Sequence, residues 1–323
     1  MTRIEKVNQL RSLIFKQLKP LISTDVALFG IVNHGNTGDT LITLGELDFL
    51  KQCGCRIRHT QLLIDESPYP DLPKDCTILL QGGGDFGDMW RGIQERKLSI
   101  IKHYSEHRII IFPESVHYHE QHFLLQDSEM LNQIHDLTIC ARDRASYEVL
   151  KQHFTATILL IPDMAFCIHP QSLKQYISPN PTGTLYLKRI DKEQSNEHYD
   201  IQADSISDWP TINNNSTPIR RSMLMIGYKD GFRLRGMNLC AKALQKINLW
   251  YVLHTVYPHV VRSSVGFLSS YSNLYLTRLH SAILSILIDK PFTLLDNSYH
   301  KNQNFYQTWL SDVDDIKLKL SEP

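Results

Sequence analysis

The chain alternates short apolar runs with stretches of helical spacing, and most of the apolar runs end in a polar loop. Asn8 to Leu18 reads as a helix, and Val26 to Val32 is the first apolar run, followed by Asn33-His34-Gly35-Asn36-Thr37-Gly38-Asp39. Thr40 to Gln52 then places Leu41, Leu44, Leu47 and Leu50 at helical spacing, with Gly54 positioned to end the helix. Thr77 to Leu80 runs into Gln81-Gly82-Gly83-Gly84-Asp85-Phe86-Gly87-Asp88. Arg108 to Phe112 ends at Pro113-Glu114-Ser115, Leu137 to Ala141 at Arg142-Asp143-Arg144, and Thr157 to Ile161 at Pro162-Asp163. Short apolar strands alternating with helical segments predict a parallel, doubly wound sheet. Asn36, Asp39, Gly84, Asp85, Glu114, Arg142 and Asp163 then fall along one carboxyl edge.

The second half repeats this logic. Gly183 to Leu187 is a strand, followed by Lys188-Arg189-Ile190-Asp191-Lys192-Glu193. Ser195 to Pro218 is polar, rich in Asn and Ser, and reads as a loop carrying Asp208-Trp209. Helices are expected over Gly236 to Ile247 and Tyr257 to Leu268. The strand at Leu274 ends at Thr277-Arg278, and a helix starts close to His280. Pro291 stops that helix, and Phe292 to Leu295 forms a further strand before Asp296-Asn297-Ser298-Tyr299-His300-Lys301. Pro, Ser and Asn between Pro170 and Pro181 mark a boundary. The expectation is α/β: two Rossmann-like domains, 1–175 and 176–323, facing each other across a cleft.

Composition narrows the function. Among 323 residues, 34 Lys and Arg balance 34 Asp and Glu, so net charge does not recommend nucleic acid as a partner. No segment reaches the ~18 to 20 apolar residues of a membrane span, and Met1 to Ile22 has no apolar signal core. Six cysteines without Cys-x-x-Cys spacing read as reduced thiols. A cytoplasmic protein is expected, with peripheral association at the inner face of a membrane left open.

Arg278 and His280 at a strand-to-helix junction lie where open α/β sheets bind ligands, beside a helix start that offers amides to an anion. Each alone fits a solvated charge or a packed histidine; together they favour an anion site. The Gly35-Asn36-x-Gly38-Asp39 turn fits a tight, capped connection as well as the approach of a sugar or phosphate. Gly82-Gly83-Gly84 lacks the Lys-Ser/Thr ending of a P-loop, which removes an ATPase reading and leaves ligand approach. His117, His119 and His122 read as a polar loop rather than a metal site. Asp312-Val313-Asp314-Asp315 reads as a solvated acidic tail. Neither a metal nor a redox cofactor is expected.

Thr277-Arg278-Leu279-His280, the helix ending in Lys290-Pro291, and Asp296-Asn297-Ser298-Tyr299 with Lys301 and Trp309 downstream resemble the polysaccharide pyruvyl transferase family. The similarity extends to the Gly-Asn-x-Gly-Asp turn, the Gly-Gly-Gly-Asp-Phe segment and Pro113-x-Ser115-Val116-His117. It also takes in Arg142-x-Arg144, Pro162-Asp163 and Arg189-x-Asp191-Lys192-Glu193. Thr277 stands where an acidic residue is frequent, and Glu114 where Gln is common, which bears on the polarity of the acceptor pocket. The resemblance implies a fold like the B-type glycosyltransferases, with phosphoenolpyruvate as a co-substrate and no cofactor. It also implies a pyruvate ketal as product, on a sugar of an exopolysaccharide or cell-surface glycan precursor carried on a lipid.

On that reading Arg189, Arg278, Leu279, His280, Asn297, Lys301 and Arg142 hold the donor. Arg189 and Arg278 form a forked clamp on carboxylate and phosphate, and His280 is the general acid or base. Asn36, Asp39, Gly83, Gly84, Asp85, Glu114 and Asp163 face the acceptor. Two other readings stay open: a nucleotide-sugar glycosyltransferase using Glu193 or Asp296 on the ribose, and a non-catalytic sugar-binding relative. The oligomeric state is not legible.

Overall fold

The computed structural model describes residues 1–320 apart from Lys192, 195–198 and Ser298, so the readings at Lys192, Ser195 and Ser298 lie outside the described residues. The chain opens with α1 (Arg3–Leu18), started by a capping box in which Thr2 and Glu5 each take the other's amide. There follow β1 (Asp25–Ile31), α2 (Thr37–Cys53), β2 (Arg56–Leu62), β3 (Thr77–Leu80), β4 (Gly83–Gly87) and α3 (Arg91–His103). Next come β5 (Ile109–His117), α4 (Gln121–Leu131), β6 (Leu137–Ala141), α5 (Arg144–His153) and β7 (Thr157–Leu160). These strands form one parallel sheet in the order β2-β1-β3-β5-β6-β7, with β4 pairing beside β5.

The remainder is α6 (Pro170–Lys174), β8 (Thr184–Leu187), β9 (Ser205–Ser207), α7 (Thr217–Leu234), α8 (Asn238–Tyr251) and α9 (Tyr257–Ser269). It ends with β10 (Asn273–Leu276), α10 (Leu279–Leu287), β11 (Phe292–Leu295), α11 (Lys301–Trp309) and β12 (Ile316–Lys319). A second parallel sheet runs β12-β11-β10-β8-β9. The fold class is therefore α/β with Rossmann-like parallel sheets, as the alternating pattern predicts.

Burial explains the sequence of the strands. In β1, Val26 and Leu28 enter the core shared with the helices of the second half, while Ala27 and Phe29 face the opposite core. A strand covered on both faces reads as a continuous apolar run. The edge strand β2 escaped prediction for the converse reason: it begins with exposed Arg56, Ile57 and Arg58, two of which pair with Asp25. The triple-glycine segment forms β4 instead of a loop, with positive φ at Gly83 and Gly87. Likewise β9 lies inside the stretch read as loop, and α8 runs through a π turn into α9.

Sheet order fixes where ligands can go. In the first sheet the winding reverses between β1 and β3, and in the second between β8 and β10. Such switch points open a crevice at the carboxyl ends of the strands. The segments leaving those four strands carry Asn36 and Asp39, Gly82 to Asp85, Arg189 to Glu193, and Arg278 to His280.

Tight backbone packing holds α2 in place. A Cβ on Gly45 would lie 1.9 Å from the Met164 carbonyl oxygen and 2.9 Å from the Ala165 Cα, both backbone atoms. In a free helix Gly→Ala gains about 1 kcal/mol. Here we expect Gly45→Ala to destabilise the protein by about 1–3 kcal/mol, since overpacking must push α2 outward. Urea denaturation gives the sign.

Candidate active site

The loops at both switch points surround one cavity with about 1110 Å³ of empty space, partly open to solvent. Of the residues singled out in the sequence, Asn36, Asp39, Gly84, Asp85, Arg189, Arg278, Leu279, His280 and Lys301 line it. Gly83, Glu114, Arg142, Asp163 and Asn297 are not on its wall. Asn297 borders a smaller neighbouring recess with Arg189 and Glu193, and its side-chain oxygen accepts from the Lys301 amide at 2.8 Å.

His280 is the second residue of α10 and is held from both sides. Its Nε2 lies 3.1 Å from Oδ2 of Asp163, a carboxylate beyond the end of β7. Against Nδ1 packs Gly38 of α2, where a Cβ would come within 2.5 Å. That glycine is thus required for the close approach of the His280 ring, and Asn36 caps α2 by accepting from the Gly38 amide at 3.1 Å. Asp163 is fully buried and also accepts from Arg142 Nη1 at 2.7 Å and from the Ala165 amide at 2.9 Å. Burial pushes its carboxyl upward, but His280 and Arg142 outweigh burial and hold it well below the usual carboxylate range. The sequence expectation put Asp163 on the acceptor side; the structure places it beneath His280 and away from the cavity wall.

Arg278 caps α10 without a side-chain hydrogen bond to the helix. Its guanidinium instead forks onto Asp208 at 2.5 and 2.6 Å and reaches Asp191 at 3.0 Å. Arg189 donates to Asp191 and Glu193 at 2.6 and 2.5 Å. The expected clamp is therefore anchored by carboxylates, which fix both guanidinium planes. Among the described residues, Nη1 of Arg278 and Nη2 of Arg189 have no hydrogen-bond partner in the structure.

Lys301 completes this wall. Its Nζ is 3.4 Å from Glu193, and a Cβ on Gly84 would lie 2.3 Å from that Nζ and 3.2 Å from Arg142 Nη2. Burial lowers the pKa of Lys301; Glu193 opposes this, and the positive charges of Arg142 and Arg189 lower it further. Burial also opposes ionisation of Glu193, but Lys301 and Arg189 hold its carboxyl well below the usual range. The glycine of β4 thus lets two cations from opposite sheets meet.

On the first-sheet side, Asp39 accepts from Asn36 at 2.7 Å and lies 3.6 Å from His34. Asp85 and Glu114 share the ammonium of Lys97 from α3. A second recess with about 580 Å³ of empty space opens beside the main cavity, sharing Asp39 and Asp85 with it and lined by Val32, Leu80, Ile93 and Ile100.

A model of the family described as polysaccharide pyruvyl transferase matches residues 36–299. The chain belongs to the polysaccharide pyruvyl transferase family. Over 317 residues it is 31% identical to EpsO of Bacillus subtilis (strain 168), provisionally named a pyruvyl transferase, covering 97% of this chain and 92% of that one. It is 27% identical to pyruvyl transferase 1 of Schizosaccharomyces pombe (strain 972 / ATCC 24843), over 88% of this chain and 69% of the relative. A crystal structure of a functionally uncharacterised protein from Klebsiella pneumoniae shares the fold with a TM-score of 0.58 at 17% identity, covering 96% and 98% of the two chains.

Membership in the pyruvyl transferase family makes the residues that sequence reading passed over informative. Asp208 lies in a polar stretch that reads as loop, and Lys97 is one of several charged residues of α3. Only distance in space reveals them: Asp208 meets Arg278 across 70 residues of chain, and Lys97 meets Glu114 across 17. No local pattern encodes either contact.

The surroundings of Glu114 set its ionisation. Burial pushes its carboxyl up to about 8; Lys97 opposes this, and the Asp85 carboxylate adds to it. A carboxyl raised in the folded state keeps its proton while the unfolded chain ionises. Its stabilising contribution is thus fully present below pH 4.5 and lost as pH climbs to about 8. We expect Glu114→Gln to remove that slope, so that the melting temperature of the variant gains on wild type between pH 5 and about 8. A constant difference across that range would show that Glu114 is ionised throughout.

Proposed function

We propose that the protein transfers the enolpyruvyl carbons of phosphoenolpyruvate to two hydroxyls of a sugar, forming a pyruvate ketal and releasing phosphate. The observation that carries this reading is the meeting of Lys301 and Arg142 over Gly84, with Arg189, Arg278 and His280 lining the same cavity. Lys301 is buried, lies 3.4 Å from Glu193, and stands near the charges of Arg142 and Arg189, so its ammonium is weakly compensated by negative charge. A compact dianion such as a phosphate ester supplies that charge, and the unpartnered guanidinium nitrogens of Arg189 and Arg278 suit a carboxylate held close to it.

The chemistry follows from this arrangement. A proton is added to the methylene of the enol, a sugar hydroxyl attacks the adjacent carbon, and phosphate leaves with the electron pair of its C–O bond. The second hydroxyl then closes the ring. Of the two hydroxyl protons, one balances the proton gained by the methyl group and the other leaves with phosphate. His280, oriented by Asp163, is the group on this wall suited to general acid–base transfer. Fixed guanidinium donors stabilise the departing phosphate without reorganising, because their carboxylate partners already hold them.

The acceptor would sit against Asn36, Asp39 and Asp85 on the opposite wall, with its lipid-linked or glycan remainder directed outward. This assigns residues 176–323 to the donor and 1–175 to the acceptor apart from Arg142, which reaches across to the donor site, as two Rossmann-like units facing a cleft. Asp163 and Glu114 join the donor and acceptor sides as supports rather than as contacts. A nucleotide-sugar donor is less suited to this site. Glu193 is paired with Arg189 and Lys301, and Asp296 is buried with His300 and the Gln303 amide, so a ribose would have to displace these partners.

The test separates binding from chemistry. His280→Gln is expected to lower phosphate release by ~10²- to 10⁴-fold while calorimetry finds phosphoenolpyruvate bound within a few-fold of wild type. Collapse of binding together with turnover would make His280 a phosphate ligand instead. Unchanged turnover would remove it from the chemistry.

Lys301→Ala probes the anion site itself. Losing a charged hydrogen bond of about 1.5–3 kcal/mol should weaken phosphoenolpyruvate binding on the order of 10- to 100-fold. Donor affinity equal to wild type would dismiss the proposed phosphate position.

A further inference from the structure

The helical hairpin formed by α7 and α8 turns an apolar, basic surface to solvent. Every residue from Arg233 to Cys240, at its tip, is exposed. Leu234 is 89% exposed and Leu239 84%, with Met237 between them. The stripe continues down the arms through Tyr228 on α7 and through Ile247 and Trp250, the last 59% exposed, on α8. Isolated surface leucines are ordinary, but a contiguous apolar stripe rimmed by charge marks a contact surface.

The charge is one-sided. From Thr217 to Tyr251 there are seven Lys and Arg residues against the single Asp230, in a chain whose net charge is zero. Lys229 is turned inward onto Asp65 and Asp230, and Arg233 donates to the Glu66 carbonyl. Arg220, Arg221, Arg235, Lys242 and Lys246 form no ion pair among the described residues. On α7 the positions Arg220, Leu224, Tyr228 and Arg235 recur at helical spacing along the outer face. The inner face is fixed by buried Ile219 and Ile226, and by Lys229 and Gln245 gripping Asp65 at 2.6 and 2.7 Å. The hairpin is therefore a rigid platform presenting its apolar tip outward.

We propose that this hairpin is a membrane-docking element for anionic phospholipid. Leu234, Met237 and Leu239 enter the acyl boundary, Trp250 and Tyr228 sit at headgroup level, and the free basic side chains meet lipid phosphates. A second copy of the same hairpin is disfavoured as the occupant, because two strongly basic faces would repel. No helix among the described residues is long and apolar enough to cross a membrane, so the contact is peripheral. The inference goes beyond the transfer reaction and holds whether or not the chain carries out that reaction.

Sedimentation with vesicles tests it. The full chain should pellet with phosphatidylcholine vesicles containing phosphatidylglycerol, not with phosphatidylcholine alone, and binding should weaken as salt rises. Arg235→Gln combined with Lys242→Gln should reduce partitioning roughly 25-fold at low salt, given about five-fold per charge. Leu234→Glu combined with Leu239→Glu should abolish it. A polarity-sensitive dye on Cys240, the exposed cysteine at the tip, should shift to the blue on mixing wild type with the anionic vesicles. That readout needs no core substitution. The proposal is overturned if wild type stays in the supernatant, if either double variant binds as wild type does, or if the dye spectrum does not move. It is equally overturned if light scattering finds a dimer that Leu234→Glu dissolves, since a second copy would then cover the face.

Discussion

The carboxylate of Asp163 is the constraint on which the candidate site depends. It lies at the end of β7 in the first sheet, yet it orients His280 from α10 beside the second sheet and takes Arg142 from the end of β6. Three elements converge on one buried anion. Removing one member of such a pair leaves an uncompensated charge at a cost of about 3–5 kcal/mol. The anion therefore stabilises the contact between the two sheets and sets which ring nitrogen of His280 is engaged.

The same logic governs the other cations. Both guanidiniums on the second-sheet side are held by carboxylates, Arg278 by Asp208 and Asp191 from other segments and Arg189 by Asp191 and Glu193 of its own loop. Their orientation is thus fixed before a ligand arrives. Asp208 sits in the segment between β9 and α7, Asp191 and Glu193 follow β8, and all three converge on Arg189, Arg278 or Lys301. Such pairing limits attraction for anions in general, since most of the charge is already balanced. What remains is directional: single open N–H groups and one undercompensated ammonium above a glycine.

The apolar recess of the first sheet and the hairpin are physically continuous. Gln61, on the wall of the apolar recess, donates to the backbone carbonyls of Asp65 and Ser67, and Asp65 is the carboxylate gripped by Lys229 and Gln245 of the hairpin. The basic hairpin and the recess beside Asp39 and Asp85 thus share one loop.

By itself, the sequence determined the local order of this protein. Apolar runs of four to seven residues specify buried parallel strands, polar residues at their ends specify the ligand edge, and Thr277-Arg278-Leu279-His280 with its companion motifs marks the family. These features follow from short-range periodicity and from residue types that few structures need at such spacing. The tertiary structure decided which groups meet. Asp163 reaches His280 across 117 positions, Glu114 and Asp163 leave the cavity wall, the glycine-rich segment becomes a strand, and the hairpin exposes its leucines. The reason is physical: an ion pair or a tight glycine contact depends on distance between segments far apart in the chain. Periodicity within each segment is the same whichever partner it finds.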